Sequence, residues 1–181
     1  MATKKNAVSW SDVKTKLVDF DRAALLKLLQ DLYAASKDNQ NFLNARLCLG
    51  DDVLKPYKVI IERWLCPDVF KNQDISVAKA KKPIADYKKA IGQAEGLAEL
   101  MVFYCEEGAG FSHEFGMDDA AYYSALVRMF DQALKVTASL PDVQRQSLWD
   151  RLDSVRDTCR HLGYGVGEDM DYLLAKYEAD V

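Results

Sequence analysis

Five lysines, Lys79, Lys81, Lys82, Lys88 and Lys89, crowd into "SVAKAKKPIADYKKAIG" (76–92), where Asp86 is the one acid. Lysines at this density can bind anions, and the chemistry they offer is contact with phosphates. Lysine is a point charge and does not read base edges in pairs, so nucleic acid would be held by its backbone. On a helix, at about 100° per residue, Lys81 and Lys88 form one column, Lys82 and Lys89 a second, and Lys79 lies behind. Val77, Ala80, Ile84, Tyr87 and Ile91 follow spacings of three and four, which makes a narrow apolar stripe on the other side. Ser76 caps this helix. Pro83 removes a hydrogen bond from its interior unless regular helix begins near Lys82, so the first turn is expected to be loose. The plainer reading of the same stretch is a solvated helix face.

A second cluster, "EEGAGFSHEFGMDD" (106–119), holds Glu106, Glu107, His113, Glu114, Asp118 and Asp119. Carboxylates in number suit a hard cation, but the EF-hand spacing and the Glu-x-x-His pair of di-iron sites are both absent. No metal is therefore assigned, and no cofactor motif is present. Asp118 and Asp119 are explained by the start of the next helix, which favours acids at its N-terminus. Cys105 and His113 would make a nucleophile and base if the intervening glycines folded back. A cysteine within "LMVFYC" reads first as a buried small hydrophobe. "GYGVG" (163–167) has the glycines of a phosphate loop but not the following Lys-Ser/Thr, and Gly163 serves as a helix stop.

These residues must be positioned by helices, because helical periodicity dominates and strand patterns are nearly absent. Asp21 caps a helix with Ala24, Leu25, Leu28, Leu29 and Leu32 on one face. A second helix runs to about Leu49 with Gly50 as its stop. A third, opened by Asp51 or Lys55, carries Pro56 in its first turn and ends at Cys66-Pro67. Residues 67–75 read as a loop and an internal seam. Further helices follow over 76–91 and 95–107, the latter broken by Gly108 and Gly110. Others run from an Asp118 cap to Ser139, from Pro141 to Leu162, and over 168–178. The expected fold is all-α, a bundle or short array of seven to nine helices forming a single domain over 1–181, with 1–9 flexible.

The 181 residues are 49% apolar and 29% charged, which suits a globular chain rather than a disordered one. Residues 1–92 carry 17 Lys and Arg against 11 Asp and Glu, a net of +6, whereas 93–181 carry 7 against 17, a net of −10. Such a bipolar chain either pairs its halves internally or offers two partner faces. Neither a membrane span nor a signal peptide is read. Four isolated cysteines, Cys48, Cys66, Cys105 and Cys159, are expected to stay reduced, which points to the cytoplasm.

Several segments together, "LLKLLQDLYAASKDNQNFL", "YKVIIERWLCPD", "SVAKAKKPIADYKK", "LAELMVFYCEEG", "YYSALVRMFDQAL" and "GYGVGEDM", resemble an uncharacterised bacterial family of helical proteins, a domain of unknown function. The resemblance implies an all-helical bacterial domain and brings no activity with it. The function expected from the residues is a non-catalytic interaction module that binds a protein partner or a second copy of itself. The alternative is an accessory nucleic-acid-binding protein using the lysine face, and a third is an enzyme built on 106–119.

Overall fold

A computed structural model describes residues 8–47, 49, 50 and 52–179. The expectations placed on 1–7, Cys48 and Asp51 lie outside the described residues. Among the described residues the chain has nine α-helices, one 3-10 turn and no strand. It divides into two compact units, residues 1–43 and 44–181.

The first unit holds α1 (Trp10–Leu17), α2 (Arg22–Ala35) and the start of α3 (Lys37–Arg46). Sequence periodicity missed α1. Its signal was a cap rather than a stripe: Ser9 accepts from the Asp12 amide, and the Asp12 side chain accepts from the Ser9 amide. Asp21 caps α2 as expected, and Asn39 Nδ2 closes its far end on the Leu32 carbonyl at 2.7 Å. No side chain over 8–43 is buried. Leu25, Leu26, Leu29 and Leu32 of α2 are between 38% and 57% exposed.

The second unit contains α4 (Lys55–Leu65), a 3-10 turn (Val69–Lys71), α5 (Val77–Ala90), α6 (Ala94–Phe115), α7 (Ala120–Ala138), α8 (Asp142–Cys159) and α9 (Val166–Glu178). Helix α6 is its axis, with α4, α5, α7 and α8 packed around it, while α9 packs on α7 and α8. The helices meet over Ile61, Leu65, Leu100, Tyr104, Phe130, Leu134, Leu152 and Met170, none more than 1% exposed. Cys105 is buried among them, as its apolar neighbours predict. No helix among the described residues is long and apolar enough to cross a membrane.

Three boundaries differ from the sequence reading. Helix α6 runs through Gly108 and Gly110 and stops at Gly116, whose φ is +73°. Gly108 is a packing residue: a Cβ there would lie 3.1 Å from Leu126 Cδ1, and its carbonyl accepts from Tyr122 Oη and Ser112 Oγ. Helix α5 keeps Pro83 in its interior, with Ser76 as cap and the ring buried, so core packing outweighs the hydrogen bond the ring removes. The cap of α7 is Asp119 rather than Asp118. The 67–75 segment lies inside the second unit, where the Ser76 amide donates to the Trp64 carbonyl at 3.0 Å.

Candidate functional site

The apolar stripe of α5 packs as its spacing requires, with Ala80, Ile84 and Tyr87 buried. The lysines do not form one uniform face. Lys79 Nζ sits 3.9 Å above the Trp64 ring, a cation–π contact. Lys82 pairs with Asp86 at 2.6 Å one turn on. Lys88 and Lys89 face solvent. Lys81 is half-buried and turns into a groove that Arg128 of α7 also lines.

The acidic segment is dispersed more than gathered. Glu106 and Glu107 are neighbours on α6 and therefore point about 100° apart. Glu106 takes both Nε and Nη2 of Arg151 at 2.7 Å. Glu107 accepts from the Cys66 thiol at 3.2 Å. His113 and Glu114 are exposed on the last turn. Asp118 accepts from the Tyr164 hydroxyl, while Asp119 takes the Ala121 and Tyr122 amides. Among the described residues no group of three or more His, Cys, Asp and Glu could hold a metal ion.

The strongest polar arrangement centres on Arg151, which the sequence reading did not single out. Its guanidinium, on α8, also donates to both oxygens of Glu99 on α6, and Lys58 Nζ of α4 reaches Glu99 Oε1 at 2.6 Å. Three helices are thus joined by two carboxylates and two cations, and Lys58–Glu99 links the basic half of the sequence to the acidic half. Burial pushes the Glu99 carboxyl up, but the hydrogen bonds and charges of Arg151 and Lys58 together hold it below the ordinary carboxylate range. The available signal was Glu99 itself, a charge inside the apolar run 97–105, which has to be paired if that face is buried.

Glu99 and Arg151 of this network floor a cleft of about 390 Å³ whose walls include Leu54, Tyr87, Ile91, Glu95 and Leu148. Gly96 lets Tyr87 into it, because a Cβ on Gly96 would stand 2.0 Å from the Tyr87 hydroxyl. The cleft has a size that suits a small molecule. Its floor, however, is spent: Glu99 is held by Arg151 and Lys58, and Glu95 on the wall accepts from the Gln144 side-chain amide at 3.2 Å.

The three thiols among the described residues are equally unsuited to attack. Burial pushes Cys66 and Cys105 well up, with Glu107 adding to the effect at Cys66, and burial takes Cys159 up to about 12. A thiol held protonated is a poor nucleophile. His113 lies eight residues beyond Cys105 on the same helix, roughly 12 Å along its axis. The continuous α6 therefore keeps the proposed nucleophile and base apart.

The chain matches no family model, no curated protein and no solved structure. "GYGVG" acts as a clasp: Tyr164 (φ +63°) and Gly165 (φ +72°) make a left-handed turn into α9, and the Tyr164 ring lies 5.4 Å from that of Tyr123. Gly167 allows α9 to approach the end of α8, since a Cβ there would meet the Arg160 carbonyl oxygen at 2.9 Å.

Proposed function

We propose that the protein is a non-catalytic helical interaction module, in which 44–179 is the folded body and 8–43 is an arm that binds a second copy of the chain. The observation that carries this reading is the apolar face of α2. Leu25, Leu29 and Leu32 fall at i, i+4 and i+7 and define one side of the helix, yet nothing in their own unit buries them. Full burial of a leucine is worth about 1.5–3 kcal/mol, and a helix of this length is marginal without packing. The face therefore gains most from another apolar surface.

A second copy is the favoured occupant on charge grounds. Residues 8–43 carry five basic and five acidic side chains, so two arms bring no net repulsion to their encounter. The test is light scattering of the full chain across concentration, at low and high salt. Association that persists in high salt is expected, because burial of leucines is not screened. A chain that stays monomeric at every concentration overturns self-association and directs the same face to a different protein.

The alternative, nucleic-acid binding, draws on the exposure of Lys79, Lys82, Lys88 and Lys89 on one helix. Lys79 is already over Trp64 and Lys82 against Asp86, so fewer charges are available than the sequence count suggests. Binding of generic duplex that weakens steeply with salt, and is lost when these lysines are replaced by glutamine, would favour it.

A further inference from the structure

Lys81 of α5 and Arg128 of α7 both line a groove of about 550 Å³, near enough for the Arg128 charge to act on Lys81. Both helices pack on α6, and the groove opens between them. Neither cation forms an ion pair or a hydrogen bond with another described side chain, unlike Lys58, Arg145, Arg151, Arg156 and Arg160 elsewhere in the same unit. The one carboxylate in the groove belongs to Asp119, whose Oδ1 is engaged by the Ala121 and Tyr122 amides at the start of α7. The walls between the charges are apolar, chiefly Ile75, Val77, Met117 and Ala125, with the Tyr122 side chain alongside.

Lys81 is half-buried and Arg128 exposed, so the two like charges stand where an anion from solvent can reach both. Burial and the like charge of Arg128 both push the Lys81 ammonium down. The Asp119 carboxylate lines the same groove but pairs with neither cation, its Oδ1 being taken by the α7 amides. An anion placed between the two would relieve the repulsion, with Arg128 offering a planar fork and Lys81 a point charge. A bare phosphate would leave the apolar walls wet, whereas a molecule with an apolar body would cover them.

We infer that the groove between α5 and α7 binds a small amphipathic anion, its acidic head held by Lys81 and Arg128 and its apolar body lying along Ile75, Val77, Met117 and Ala125. The volume lies within the range of small-molecule sites and is far too short for a nucleic-acid strand. This site is independent of the α2 face.

The test is calorimetric titration of the full chain with octanoate, octyl phosphate, inorganic phosphate and neutral octanol. Both amphipathic anions are expected to bind, with inorganic phosphate and octanol at least tenfold weaker. The double variant Lys81→Gln/Arg128→Gln should lose at least tenfold for the anions with no change for octanol. Both side chains lie outside the core, so circular dichroism should be unaltered. A second variant, Ala121→Leu, fills the groove from an exposed position and should weaken the anions while leaving both charges in place. No binding of either amphipathic anion by the parent overturns the site, as does equal binding by the double variant. Inorganic phosphate binding as tightly as octyl phosphate would refute the part assigned to the apolar walls.

Discussion

Helices α2 and α6 are both rich in apolar residues, yet α6 buries eleven residues and α2 none. The difference does not lie in periodicity, since both have a leucine-bearing face at helical spacing. It lies in what surrounds them. Helix α6 has α4, α5, α7 and α8 against it, and glycines at 96 and 108 let Tyr87 and Leu126 close in. Helix α2 has neighbours too short and too polar to cover it. An apolar stripe shows which side of a helix needs a partner, and the rest of the fold decides whether the same chain supplies one.

That contrast is most sharply tested by a matched pair of truncations. Phe130→Ala, in the core around α6, is expected to cost about 3–5 kcal/mol in denaturant unfolding. Leu29→Ala, on α2, should stay within about 1 kcal/mol at low protein concentration. Comparable losses at the two sites would mean that the arm is already buried in the single chain.

The Arg151 network gives the next effect. Arg151→Met leaves Glu99 and Glu106 short of a cation. The loss should be about 2 kcal/mol, below the roughly 3–5 of a fully buried pair because solvent still reaches all three side chains. Its pH dependence has a definite sign. Glu99 has a folded pKa below its ordinary 4.5, so its contribution is full above that value and is lost as pH falls through the lower folded one. Glu107, two turns on, behaves oppositely. Burial and the nearby Glu62 and Glu106 charges raise its pKa despite the Cys66 thiol, so ionisation costs stability at neutral pH. Glu107→Gln should therefore stabilise the protein slightly at pH 7 and lose that advantage in acid, as followed by thermal unfolding.

Much of this fold was readable in the chain. Caps at Asp21 and Ser76, the Cys66-Pro67 stop and the stripe from Val77 to Ile91 are local signals, and each organises its own neighbourhood as expected. By propensity Gly108 is a helix breaker, and only the position of Leu126, which needs that space, makes it a packing residue instead. The site was less legible. Lys81 and Lys88 share a helix column, but only the position of α7 separates a lysine facing Arg128 from one facing water. Arg151 is unremarkable in sequence, since its partners are 45 and 52 residues away.

A smaller effect concerns Thr137, whose hydroxyl is buried at the end of α7 without a hydrogen-bond partner among the described residues. Thr137→Val removes that unpaired group at nearly constant shape and should add about 1 kcal/mol in thermal or denaturant unfolding. A loss instead would show that the hydroxyl is satisfied in solution.

The most direct measurement is hydrogen exchange of the amides of residues 22–35 as a function of protein concentration. At low concentration these amides should exchange far faster than those of α6, because opening α2 exposes little that was covered. As concentration rises, the 22–35 amides alone should become protected, and Leu25→Lys/Leu29→Lys should abolish that gain without lowering helix propensity. Protection of 22–35 equal to that of α6 at the lowest concentration, or the same rise in the double variant, would contradict an arm completed by a second copy.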